Sequence, residues 1–64
     1  MKIQFNVPNM ACDACATSIT KAVKAVDSSA QVVAEPQTKR VEIETAASEG
    51  AVRQAIEQAG YTVA

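Results

Sequence analysis

The sequence predicts an α+β fold in which two amphipathic helices cover one face of a four-stranded antiparallel sheet. Three observations point there. Two stretches, Ile3 to Val7 and Val41 to Thr45, alternate apolar and polar residues with the period of a half-buried strand. Two others, Ala16 to Val26 and Val52 to Ala59, repeat apolar residues at spacings of three and four. Proline and glycine fall between these stretches rather than inside them, apart from Gly50 near the start of the second helix.

In chain order, Ile3, Phe5 and Val7 alternate with Lys2, Gln4 and Asn6, and Pro8 ends this first strand. A short loop leads into the first helix, whose apolar stripe is Ala16, Ile19, Ala22, Val23 and Val26. Asp13, Thr17, Lys21 and Lys24 fall on its wet face, and Asp27-Ser28-Ser29 closes it. Ala30, Val32 and Ala34 make a weaker alternating run, with Val33 on the other face. The turn Glu35-Pro36-Gln37-Thr38 joins that run to the Val41 strand as a hairpin, since proline at the second turn position has its φ already set. Ser48 is placed to cap the second helix, with Glu49 in its first turn and Val52, Ala55, Ile56 and Ala59 on its apolar face. Gly60 can take the left-handed conformation that stops a helix, and Tyr61 and Val63 are left for a fourth strand. The order βαββαβ is that of a ferredoxin-like sandwich. Alternating up-and-down connections bring the loop after the first strand, the Pro36 turn and the Gly60-Tyr61 loop to one end.

Size and composition limit what such a chain does. Sixty-four residues make one domain, 1–64. Thirteen of its apolar residues are alanines and it has no leucine, so the core rests on a few Val, Ile, Phe and Met side chains. Six basic against seven acidic residues and a pI of about 5.1 give no electrostatic footprint for nucleic acid. No run approaches the ~20 apolar residues of a membrane span, and the N-terminus lacks the apolar centre of a secretory signal, so a cytoplasmic location without membrane insertion is expected.

Chemistry concentrates in Asn9-Met10-Ala11-Cys12-Asp13-Ala14-Cys15, which holds both cysteines. A pair of thiols at a helix N-terminus meets outward-pointing N–H groups and the positive end of the helix dipole, which favour thiolate. Two thiolates are soft ligands that select Cu(I) and other thiophilic ions over Mg²⁺ or Ca²⁺. Structural zinc held within one chain wants four ligands, and this sequence offers two thiols and no histidine. The same pair also suits thiol–disulfide exchange, or no chemistry at all. Met10, beside an otherwise polar loop, reads as a flexible core filler rather than a third ligand. The shared-end argument brings the Tyr61 hydroxyl near the sulfurs, where it tunes them or simply covers the core. Lys21 and Lys24, with Arg53 on the second helix, form either a solvated face or an orienting surface.

The segment Met10-Ala11-Cys12-Asp13-Ala14-Cys15 resembles the M-x-C-x-x-C signature of the heavy-metal-associated domain family, which includes copper chaperones and the metal-binding domains of copper-transporting P-type ATPases. The likeness extends over nearly the whole chain, including Ala59-Gly60-Tyr61. It implies a small bacterial or cyanobacterial copper chaperone, not an enzyme. Such a protein holds Cu(I) on Cys12 and Cys15 and hands it by thiolate exchange to the CxxC domain of a membrane ATPase. It implies a monomer or a copper-bridged dimer, with Zn(II) and Hg(II) as in vitro alternatives. The chain departs from the family in carrying Asn9 where Gly is usual and Ala11 where Thr is frequent. Zinc-exporting relatives often place Asp where Ala11 stands, which favours copper.

Overall fold

The computed structural model describes residues 2–64 and contains five regular elements: β1 (Lys2–Asn6), α1 (Asp13–Val26), β2 (Gln31–Glu35), β3 (Arg40–Glu44) and α2 (Glu49–Gln58). The strands form an antiparallel sheet in the order β1-β3-β2. Its register lines up Ile3, Ile43 and Val32 in one cross-strand row and Phe5, Val41 and Ala34 in the next. These rows face the helices, while Gln4, Glu42 and Val33 point the other way. Val33, on an edge strand, is therefore 58% exposed.

Ile19 and Val23 of α1 and Val52 and Ile56 of α2 close over the sheet's apolar face, with Val7 and Met10 completing the buried core. Burying these branched side chains against each other is the main source of stability, at roughly 1.5–3 kcal/mol for each one fully buried. Val26, expected in the apolar stripe of α1, is 41% exposed, because the helix ends there and Asp27 turns the backbone to an extended conformation. Ala59 is likewise exposed, standing at the C-terminal boundary of α2 rather than on its buried face.

Helix ends follow local chemistry. Ser48 Oγ accepts the Ala51 N–H at 3.2 Å, the expected cap of α2. At the other end Gly60, with φ of 100°, donates its N–H to Glu57 C=O at 3.0 Å, and Tyr61 donates to Ile56 C=O at 3.3 Å. This pair of bonds is the Schellman arrangement, which needs the left-handed residue that glycine supplies. Asp27, just past α1, ties the end of the molecule remote from the cysteines. Its carboxylate accepts from Ser29 N–H at 3.0 Å, Thr45 Oγ1 at 2.6 Å and Ala46 N–H at 3.3 Å.

The sheet has three strands among the described residues, not the expected four. Tyr61 and Val63 are half-buried and pack on the core as their alternation requires, yet they do not extend the ladder. The reason is where their donors go. The Tyr61 N–H is spent on the helix end and the Thr62 N–H on the Asn9 side chain, leaving Ala64 N–H to Asn6 C=O, 2.8 Å, as the one backbone bond toward β1.

Candidate metal centre

Val7, Pro8, Asn9 and Met10 make a β-turn closed by the Met10 N–H on Val7 C=O at 3.0 Å. Proline holds the second turn position, where its fixed φ fits. Met10 is completely buried and pulls the chain down onto the core. From this anchored residue the backbone rises through Ala11 to Cys12, an extended residue (φ −154°, ψ 172°) at the N-cap of α1, whose C=O accepts the first helical bond from Ala16 N–H at 3.1 Å. Cys15 follows in the first helical turn. An N-cap usually offers a side-chain oxygen to the free N–H groups of that turn. Here the position carries a thiol, and Cys12 makes no such capping bond.

The two sulfurs lie 3.2 Å apart, with Cys12 exposed and Cys15 half-buried. That spacing is a hydrogen bond between two free thiol groups, far longer than the ~2.05 Å of a disulfide. The Cys15 thiol is lowered from 9.0 to about 7, chiefly by hydrogen bonding from the backbone at Ala11, then from the Tyr61 hydroxyl and from Cys12, against a smaller opposing effect of burial. Tyr61 moves the opposite way: a phenol that donates to a thiolate resists losing its own proton. The Ser18 side chain, one helical turn beyond Cys15, works against that rise.

The expected gathering of three loops at one end is present, and two residues that the sequence did not single out as site residues hold it together. Lys39, in the β2–β3 turn, has φ of 62°, an uncommon conformation for a residue with a side chain. Its C=O accepts the Val7 N–H at 2.8 Å, and its ammonium donates to Met10 C=O at 2.8 Å. One lysine thus grips both ends of the turn beneath the cysteines. Asn9 reaches the other way, accepting the Thr62 N–H on Oδ1 at 3.0 Å and donating from Nδ2 to Gly60 C=O at 3.4 Å.

Asp13, Thr17, Lys21 and Lys24 are exposed along α1, as their spacing predicts, and the Thr17 hydroxyl is used internally on Asp13 C=O. Arg53 sits over the Phe5 ring, 5.9 Å from its centre, and pairs with Glu49 at 3.5 Å. Among the described residues no group of three or more His, Cys, Asp or Glu side chains comes together. No helix among the described residues is long and apolar enough to cross a membrane.

The profile of the heavy-metal-associated domain matches residues 4–62. No curated protein sequence matches the chain significantly. Among solved structures, a trimeric copper form of the copper chaperone Atx1 from Synechocystis PCC6803, carrying a histidine-to-tyrosine substitution, is 45% identical. It covers 97% of this chain and 98% of its own, with a TM-score of 0.94. The solution structure of a cyanobacterial copper metallochaperone, ScAtx1, is 44% identical over the full length of both chains, with a TM-score of 0.82. A gold-binding protein is 32% identical, covering 94% of this chain and 92% of its own, with a TM-score of 0.90.

Proposed function

Because the chain belongs to the heavy-metal-associated domain family, we propose that it is a cytoplasmic Cu(I) metallochaperone. In this reading it carries the ion on Cys12 and Cys15 and passes it to the metal-binding domain of a copper-transporting P-type ATPase. The observation that supports this most directly is the pair of sulfurs 3.2 Å apart at the start of α1, Cys12 exposed and Cys15 half-buried with its thiol lowered to about 7. The role is trafficking, not catalysis.

Two thiolates and Cu(I) carry one net negative charge, which the N–H groups at the start of α1 and the helix dipole stabilise. A linear two-coordinate ion sits between its two sulfurs, which must then stand further apart than the 3.2 Å of the hydrogen-bonded, metal-free pair, so the pair opens on loading. Cys12, exposed and on extended backbone, is free to make that movement. Transfer is ligand exchange without redox change: an incoming thiolate bonds to the ion, one resident thiolate leaves, and a second exchange completes the handover. Two-coordination leaves the ion open to that attack. Lys21 and Lys24, on the exposed stripe of α1 that runs away from the sulfurs, serve as an orienting surface for the acceptor. The chain works as a single unit, alone or as a copper-bridged dimer, and Zn(II) and Hg(II) compete for the sulfurs in vitro.

The test is titration of the reduced protein with Cu(I), Zn(II) and Hg(II) against competing chelators, with X-ray absorption counting sulfurs. Cys12→Ser and Cys15→Ser should each abolish tight Cu(I) binding while circular dichroism stays unchanged. Copper retained by either variant against a strong chelator overturns two-thiolate coordination. Reduction of insulin disulfides by a protein that holds Cu(I) no better than glutathione does would instead make it a thiol oxidoreductase.

A further inference from the structure

We infer that Asn9 is a positioning residue for Tyr61: its carboxamide clamps the chain after α2 on both sides of the tyrosine and so fixes where the phenol lies relative to the cysteine loop. The inference deepens the Cu(I) reading and rests on it for its effect on metal, though the clamp itself is a feature of the metal-free protein.

Asn9 occupies the third position of the Val7–Met10 turn without a positive φ, so the turn itself does not call for glycine there. What the side chain brings is a donor and an acceptor on one rigid plane. Oδ1 takes the Thr62 N–H at 3.0 Å and Nδ2 gives to Gly60 C=O at 3.4 Å, the residues immediately after and before Tyr61. The partners fix the orientation of the amide, since a carbonyl can meet only the NH₂ and an N–H only the oxygen. Ahead of Tyr61 the helix-terminating bonds from Gly60 and Tyr61 already set the path of the chain; behind it, the next backbone anchor is Ala64. Asn9 fills that gap. Its bonds cross from the loop that carries the cysteines to the loop that carries the tyrosine, so the two loops keep one spacing.

Other residues do part of this at most. Aspartate keeps the acceptor, loses the donor and puts a carboxylate near the thiolates, while serine is too short to reach both partners. A residue that fixes the backbone on either side of Tyr61 sets where the phenol lies over the cysteine loop, and so acts on the sulfurs without touching the metal.

The experiment compares the parent, Asn9→Ala, Tyr61→Phe and the double variant. In the metal-free reduced protein it follows amide hydrogen exchange at Thr62 and, where Tyr61 is present, tyrosine fluorescence. Tyr61 is the only tyrosine and there is no tryptophan, so that signal reports this site alone. Cu(I)-loaded protein is then mixed with excess bicinchoninate and the rate of copper loss is recorded. Asn9→Ala should speed Thr62 exchange and shift the fluorescence. It should also change the copper-loss rate by roughly three- to tenfold, in the same direction as Tyr61→Phe. The double variant should go no further than the larger single one, the mark of two residues acting through one contact. Additive rates, or a faster Thr62 exchange with the copper rate unchanged, overturn the positioning role. A parent that fails to hold Cu(I) refutes the metal reading instead, and the clamp then stands or falls on exchange and fluorescence alone.

Discussion

Met10 stands two residues before Cys12, and a thioether in that place is either a ligand or part of the core. The structure buries it completely, among the largest side chains with no exposure at all, and two substitutions separate the alternatives. Met10→Ala removes a fully buried side chain, which costs about 2–5 kcal/mol. A domain of this length has a total stability of roughly 3–10 kcal/mol. At about 4–8 °C per kcal/mol, the melting temperature should fall by on the order of 10–40 °C, at the upper end close to unfolding at ambient temperature. Met10→Leu keeps the volume, removes the sulfur and should cost less than about 1.5 kcal/mol. Both keep the Met10 carbonyl that Lys39 holds. Thermal melts of the reduced, metal-free proteins measure the first effect, and Cu(I) competition at low temperature, where Met10→Leu is folded, measures the second. A loss of Cu(I) affinity of tenfold or more in Met10→Leu, with its melt unchanged, would make the thioether a ligand and refute the packing argument. So would a Met10→Ala melt within a few degrees of the parent.

The Cys15 thiol should alkylate with a half-maximal rate near pH 7, followed by iodoacetamide labelling and peptide mapping. A group with that pKa is about half ionised at pH 7, whereas one at 9.0 is ionised to about 1%. Tyr61→Phe should move the midpoint up but not back to 9.0, because the bonding from the backbone at Ala11 survives. A parent midpoint near 9 would sink the account of the site. At the far end, the Thr45 hydroxyl, with the Ser29 and Ala46 N–H groups, holds the Asp27 carboxyl below its usual range. Its contribution to stability is therefore complete above the unfolded carboxylate value, near pH 4, and is lost as pH falls through the lower folded value. Asp27→Asn should melt below the parent at pH 7, and the gap should shrink toward pH 3. A gap independent of pH would assign the loss to packing rather than charge.

What could be read from the sequence was whatever repeats along it. Alternation in Ile3-Phe5-Val7 and Val41-Ile43-Thr45, and the three-four spacing of Ile19-Val23 and Val52-Ile56, each follow from one element burying one face. All of these side chains are buried. The Ser48 cap and the Gly60 stop were equally legible, because a helix end is a local problem with few chemical solutions. The Cys12–Cys15 spacing marked the site, and Tyr61 could be placed near it because strands and helices that alternate in direction return their loops to the same end.

The fourth strand shows where such reasoning stops. Its residues alternate correctly, but a ladder also depends on which partner each N–H finds, and at Thr62 a side chain 53 residues earlier competes with β1 and wins. Lys39 and Asn9 are not legible as site residues for the same reason. A polar residue in a turn looks like solvated surface, and nothing in its neighbours shows that its ammonium or carboxamide will reach a backbone 29 or 51 residues away. Such bonds have no period and require no particular neighbour in sequence. They appear only once the apolar faces have closed and brought the loops within reach. At this candidate site the core therefore decides which loops meet, and isolated polar contacts between those loops decide how firmly the cysteine loop and the Tyr61 loop are held together.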